Sequence, residues 1–207
     1  MARTPDLERR QELLDRIVVY LADNGLAQAT LRPMAAALDV SINRLVHHFG
    51  SKEDLITAAL KRAIDQQLAV QDAWFARNPN LGVVEFYRRW WRWMNAKPEH
   101  LALVRLNYEA AALDTSVTGL AGEVRADQIG VWRHSVEQRL LAEGVPAGCV
   151  ELEACLTKAT FTGLVLDLIA TGERKRLTAA CDAWLDRLDH MIRTAAAASR
   201  VTTSVPV

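Results

Sequence analysis

Between Ser41 and Lys52 the chain reads Ser-Ile-Asn-Arg-Leu-Val-His-His-Phe-Gly-Ser-Lys. Folded as a short helix from about 42 to 48, this stretch turns Leu45 inward and carries Asn43, Arg44, His47 and His48 on its outward face. Such groups suit nucleic acid. A helix fits the DNA major groove, where each base pair shows its own pattern of donors and acceptors. Arg44 has the fork to meet guanine bidentately, and Asn43 and His47 can make single hydrogen bonds or water bridges. Arg32, at the start of the preceding helix, suits phosphates together with Ser41, His48 and Lys52, as do the helix-start N–H groups near Ser51. Metal binding by His47 and His48 is disfavoured. Adjacent helix positions diverge by about 100°, and no carboxylate or Cys stands an i+4 step away. On an arbitrary helix a stretch such as Arg44 to His48 would be an ordinary solvated face, so the flanking elements decide its meaning.

Those elements are helical. Thr4-Pro5 is a helix start, with Leu7, Leu14, Ile17, Val18 and Leu21 forming a stripe that Asn24-Gly25 ends. Thr30 is placed to cap a second helix, about 31 to 38, and Pro33 is tolerable in its first turn. Asp39-Val40-Ser41 makes a tight turn, with Ser41 as N-cap of the third helix and Gly50 as its end. Ser51 and Asp54 form a capping box that opens a fourth helix reaching about Trp74. Met34, Leu38, Val40 and Leu45 then bury against Ile17, Tyr20 and Leu21, with Phe49 plugging the far end. Short helices are marginal alone, so this packing must hold them.

This layout resembles a known family. Thr30-Leu-Arg-Pro-Met-Ala-Ala-Ala-Leu-Asp-Val-Ser41 and Leu45-Val-His-His-Phe-Gly-Ser-Lys-Glu-Asp-Leu55 are similar to the N-terminal signature of TetR/AcrR-type transcriptional regulators. The chain departs at Asp39, where the family usually has Gly, at Val46, where it usually has a phosphate-touching Tyr, and at Arg44, where a small polar residue is common. The resemblance implies a helix-turn-helix domain over 1–50, a ligand-binding and dimerisation body over 51–198, and a tail over 199–207. It also implies repression of a DNA operator by a homodimer, with a small-molecule effector acting through the fourth helix.

Composition sets bounds. Of 207 residues, half are apolar, with ten Gly and six Pro, which excludes collagen-like and low-complexity classes. Twenty-five basic residues balance 25 acidic ones, so nucleic-acid contact must come from a local patch. Residues 1–62 hold nine basic against eight acidic side chains, and 32–62 five against three. No charge-free run exceeds eight residues, so no membrane span is expected, a spanning helix needing about 20 apolar residues. Cys149, Cys155 and Cys181 lack metal-ligand spacing and read as reduced thiols of a cytoplasmic protein. No nucleophile elbow, phosphate loop or zinc pattern is present, so neither enzyme nor cofactor is expected.

Period-3.6 patterning continues to the end, giving an all-α chain of about nine helices. Further helices are expected near 81–95, 99–113, 120–142, 150–170 and 176–197. The segment 83–94 sets Val83, Phe86, Tyr87, Trp90, Trp93 and Met94 on one face. That face reads either as core or as the wall of an apolar ligand cavity. In the second reading Asn107, Tyr108, Gln128, His134 and Thr160 supply polar groups, and Arg105, Arg125 or Arg133 would meet a carboxylate. The last two helices offer Leu156, Ala159, Gly163, Leu166, Trp184, Leu188 and Met191 to a four-helix subunit interface. An alternative regulator would sense oxidants through Cys149, Cys155 or Cys181.

Overall fold

The computed structural model describes residues 4–112 and 122–203. Nine α-helices make up the described residues, with no strand: α1 Thr4–Asn24, α2 Leu31–Ala37, α3 Ile42–Phe49, α4 Lys52–Arg77, α5 Val83–Ala96, α6 Pro98–Ala112, α7 Gly122–Ala142, α8 Ala147–Thr171 and α9 Arg174–Thr203. A 3-10 turn, Leu26–Gln28, follows α1 and has no counterpart in the sequence reading. Helix α9 runs on through 199–203, a stretch the sequence reading assigned to a tail, because Ala195–Ala198 are strong helix formers.

Packing divides the chain into two compact units. One comprises Met1–Arg77 and Lys97–Ala126, the other Asn78–Ala96 and Asp127–Val207. Helices α4 and α6 thus pack with the three-helix head, whereas the sequence reading drew its line after residue 50. In the first unit Ile17, Leu21, Met34, Leu45, Leu55 and Ala59 lie at the centre of one apolar cluster. Val40 and Tyr20 are partly buried against it. Leu7 is exposed, contrary to expectation, and Leu13 is buried instead.

The second unit is built on aromatic packing. Tyr87 meets Phe161 at 4.7 Å and Trp184 at 5.4 Å between ring centroids, and Trp90 stacks on Trp93 at 4.9 Å. Trp91 is fully buried and its indole N–H donates to the Thr178 hydroxyl at 3.1 Å, while Trp93 is only partly buried. The stripe on α5 is therefore wider than the sequence pattern suggested. Helices α8 and α9 form a hairpin turned by Gly172, which takes the left-handed φ of 70°. Arg176 straddles that turn, reaching both carboxylate oxygens of Asp167 at 3.0 Å.

Candidate nucleic-acid interface

The presentation of α3 begins with its ends. The Ser41 hydroxyl accepts a hydrogen bond from the Arg44 N–H at 3.1 Å, satisfying one of the donors a helix start leaves open. Asp39 adopts a left-handed φ of 52°, a conformation Asp tolerates better than most residues, so the turn forms without glycine. At the other end Gly50 has φ 82° and an added Cβ would lie 3.0 Å from the Asp54 carboxylate, a place only glycine suits. Thr30 stands at the start of α2 but its side chain makes no capping hydrogen bond.

The capping box at the start of α4 is complete. The Ser51 N–H and hydroxyl both donate to Asp54, at 3.1 and 2.7 Å, and the Asp54 N–H donates back to the Ser51 hydroxyl at 3.0 Å. Ser51's side-chain and backbone hydrogen bonds hold the Asp54 carboxyl below its ordinary value. Its contribution to stability is present above the ordinary carboxylate range and fades as pH falls through the lowered value.

Helix α1 clamps the back of the motif. Arg10 donates to the His48 carbonyl at 3.1 Å and lies 4.9 Å above the Phe49 ring. Arg16 donates to the Leu38 carbonyl. Arg62 and Gln66 of α4 both reach Asp15, the shortest contact being 2.6 Å. These ties hold α3 by its buried side, Leu45 and Phe49. Asn43, Arg44, Val46 and His47 are left exposed, with His48 half-buried. Of the phosphate candidates, Arg32 and Ser41 are exposed and Lys52 is partly so.

Two further contacts bind α6 to this unit. Arg105 donates to the Ala22 carbonyl at the end of α1 and pairs with Glu109 at 3.4 Å. Glu109 accepts from the Leu26 N–H at 2.9 Å, and an added Cβ on Gly25 would lie 3.3 Å from its carboxylate. Arg105 thus ties α6 to the end of α1. The pairing spans some eighty residues of sequence, so no local signal announces it. Arg133 is likewise engaged, with Glu137 at 3.2 Å. The side chain of Arg125 lies outside the described residues.

The other ligand candidates scatter. Phe86, Tyr87 and Trp90 are buried among other rings, as core residues are. His134 and Thr160 are exposed, and the Thr160 hydroxyl donates to the Leu156 carbonyl of its own helix. Asn107 and Tyr108 are half-buried on α6, and Gln128 has its side chain outside the described residues. What sequence reasoning missed are two buried glutamines on α4, Gln67 and Gln71. The Gln71 amide nitrogen and the Asn107 amide oxygen are buried without a hydrogen-bond partner among the described residues.

The interface candidates split by helix. Leu156, Ala159, Gly163 and Leu166 of α8 are exposed, together with Leu152, and nothing lies within 4 Å of a Cβ added at Gly163. On α9, Leu188 is buried, and Trp184 and Met191 are half-buried, Trp184 against Tyr87 and Phe161. By length and composition α8 is apolar enough to cross a membrane, although no charge-free run is long, and 28% of its most apolar window is buried. Cys149 and Cys155 are exposed on α8, while burial pushes the Cys181 thiol up to about 12. Among the described residues no group of His, Cys, Asp and Glu has a metal-binding arrangement.

A capped helix-turn-helix with a polar face turned outward defines a DNA-binding head. Residues 13–59 match the family model of bacterial regulatory proteins, tetR family, so the head is of that type. Over 57 residues it is 39% identical to the HTH-type transcriptional repressor KstR2 of Rhodococcus jostii and 37% to KstR2 of Mycolicibacterium smegmatis. The matched stretch covers 28% of this chain and 28% of each relative. Among solved structures, the multidrug binding protein EbrR complexed with imidazole aligns with TM-score 0.62 and 26% identity, covering 91% of this chain and 93% of that one. A transcriptional regulator from Rhodococcus aligns with TM-score 0.69 and 23% identity, over 86% and 95%. The chain therefore shares the fold of these solved structures over most of its length.

Proposed function

We propose that this chain is a cytoplasmic transcriptional repressor that binds a palindromic operator as a homodimer and is released by a small apolar effector. The observation carrying the DNA-binding part is α3, a helix capped at Ser41 and clamped from behind, whose Asn43, Arg44 and His47 face outward. Arg44 reads guanine, Asn43 and His47 make the adjoining base contacts, and Arg32, Ser41, His48 and Lys52 hold phosphates.

Pairing is supported by the exposed apolar stripe of α8. Leu152 and Leu156 are 62% and 52% exposed, an arrangement that subunit association would cover. Ala159 and Gly163 lie on the same face and permit close approach of a second helix. Two copies related by a twofold axis would read half-sites about 34–36 Å apart.

Selection of bound duplexes from a random DNA library, with the mass in solution measured in parallel, tests this reading. It expects an inverted repeat and a dimeric mass. Recovery of no preferred sequence, or a monomer at micromolar concentration, would contradict it.

A further inference from the structure

Helix α3 carries two rows of side chains outside its buried seam. Asn43 and His47 form the polar row, with Arg44 beside it. Ile42 and Val46 form the other, at the margin of the outward face, and both are apolar. They are one turn apart, so they are neighbours on the helix surface. Ile42 is 37% exposed and Val46 45%. The apolar cluster of the unit is closed at α3 by Leu45 and Phe49. Exposed apolar residues are ordinary when scattered. Leu7 and Val19, the other large ones exposed among the described residues of the first unit, stand far apart along α1. Ile42 and Val46 are adjacent instead, on an eight-residue helix whose other exposed groups are Asn43, Arg44 and His47.

What such a pair could meet follows from the surface its neighbours address. Neither side chain can bond a phosphate or the polar edge of a base. In the major groove one base feature is apolar, the C5-methyl group of thymine. Ile42 is the first residue of α3, and the N-terminal residues of the second helix of a helix-turn-helix are those that reach base edges. Both side chains branch at Cβ, so in a helix they hold a preferred rotamer and lose little freedom on contact. A second protein surface is a poorer occupant. Covering this row with protein would also take Asn43, Arg44 and His47 out of water, at a cost unless each found a partner.

We infer that Ile42 and Val46 are specificity-determining residues that read thymine methyl groups, beside the bases met by Asn43 and Arg44. The inference rests on the operator-binding reading above and deepens it. The half-site holds thymine where this row faces it. Cytosine, which has no methyl group, is rejected there by lost packing.

The test uses the full chain, wild type and Ile42→Ala/Val46→Ala, with the operator recovered by library selection. That duplex is made as selected and with uracil in place of each half-site thymine in turn. Uracil keeps every hydrogen-bonding group of thymine and lacks only the methyl. Burying one such group is worth about fourfold in affinity, so uracil at a read position of both half-sites should weaken wild-type binding about fifteenfold. The variant should bind the two forms within about twofold of each other, the coupling having been removed. Its melting temperature should not fall, alanine being the better helix former, and its mass in solution should match the wild type. Each single change gives the same readout should the pair together lower the melting temperature. A wild type indifferent to uracil at every position, or an operator with no thymine in its half-sites, would overturn the inference. So would an equal uracil penalty in wild type and variant, which would place the effect in the shape of the duplex, or a variant of lower mass, which would show the row facing a second protein. A selection that returns no preferred sequence would instead overturn the operator-binding reading itself.

Discussion

Helices α3 and α8 both turn a full face away from their own cores, and the two faces are chemically opposite. Helix α3 shows Asn43, Arg44 and His47, groups already content in water. Helix α8 shows Leu152, Leu156 and Leu166, groups that water does not favour. Both helices are anchored from behind, α3 by Leu45 and Phe49, α8 by Phe161, Val165 and Leu168. An anchored polar face suits directional recognition of hydrogen-bonding edges. An anchored apolar face suits burial against another protein surface, where area counts for more than the placing of individual donors.

The largest effect should come from spoiling the apolar face. The double change Leu156→Glu and Leu166→Glu should weaken self-association by about a hundredfold or more, since central interface side chains are commonly worth about 2 kcal/mol or more each. Sedentation of the variant as a dimer at micromolar concentration would show that α8 does not pair subunits. Its helicity should stay at the wild-type level, because both side chains point outward.

The anchoring of α3 comes next. Leu45 is fully buried, and Leu45→Ala should cost about 2–5 kcal/mol, as removal of a packed leucine does. Chemical denaturation of the variant measures this. A loss well below 1 kcal/mol would mean that α3 is not held by its inner side. The same change should weaken operator binding less than removal of the outward groups does, once both proteins are compared fully folded.

The smallest effect separates buried from exposed thiols. Cys149 and Cys155 should react with a thiol reagent in the folded protein, and Cys181 only after unfolding. Because burial raises Cys181 from its ordinary value of 9.0 to about 12, the folded form should lose stability as pH rises through that interval, the unfolded thiol ionising first. Rapid labelling of all three in the native state would contradict the packing of α9. Operator binding insensitive to peroxide would leave the thiols without a sensing role.

The head was largely legible in the sequence because its signals are local. Ser41, Gly50 and the Ser51–Asp54 box each act within a few residues, and the structure has all of them in use. Thr30 looked equivalent and caps nothing. The second unit was legible only as helices. Periodicity put Leu188 and Trp184 on a stripe, but it could not say whether that stripe faces the unit's own core or a partner. In the structure Trp184 packs on Phe161 and Tyr87 and Leu188 is buried, while Met191 is half-buried. Leu7 failed as a core residue: near the start of α1 it is 60% exposed, while Leu13 and Leu14 are buried. The ties of Arg105 and Glu109 to Ala22 and Leu26, and the idle amides of Gln71 and Asn107, depend on chain segments far apart in sequence and became visible only in three dimensions.

The central claim is that the outward side of α3 reads base edges. It is tested most directly by titrating the wild type and the Asn43→Ala/Arg44→Ala variant against the selected operator and a scrambled duplex at one fixed salt concentration. With each good base contact worth about 1–3 kcal/mol, the variant should lose about a hundredfold or more of its preference for the operator. Its residual affinity for the scrambled duplex, its helicity and its mass in solution should stay close to wild type. An unchanged preference in a folded variant would contradict the account.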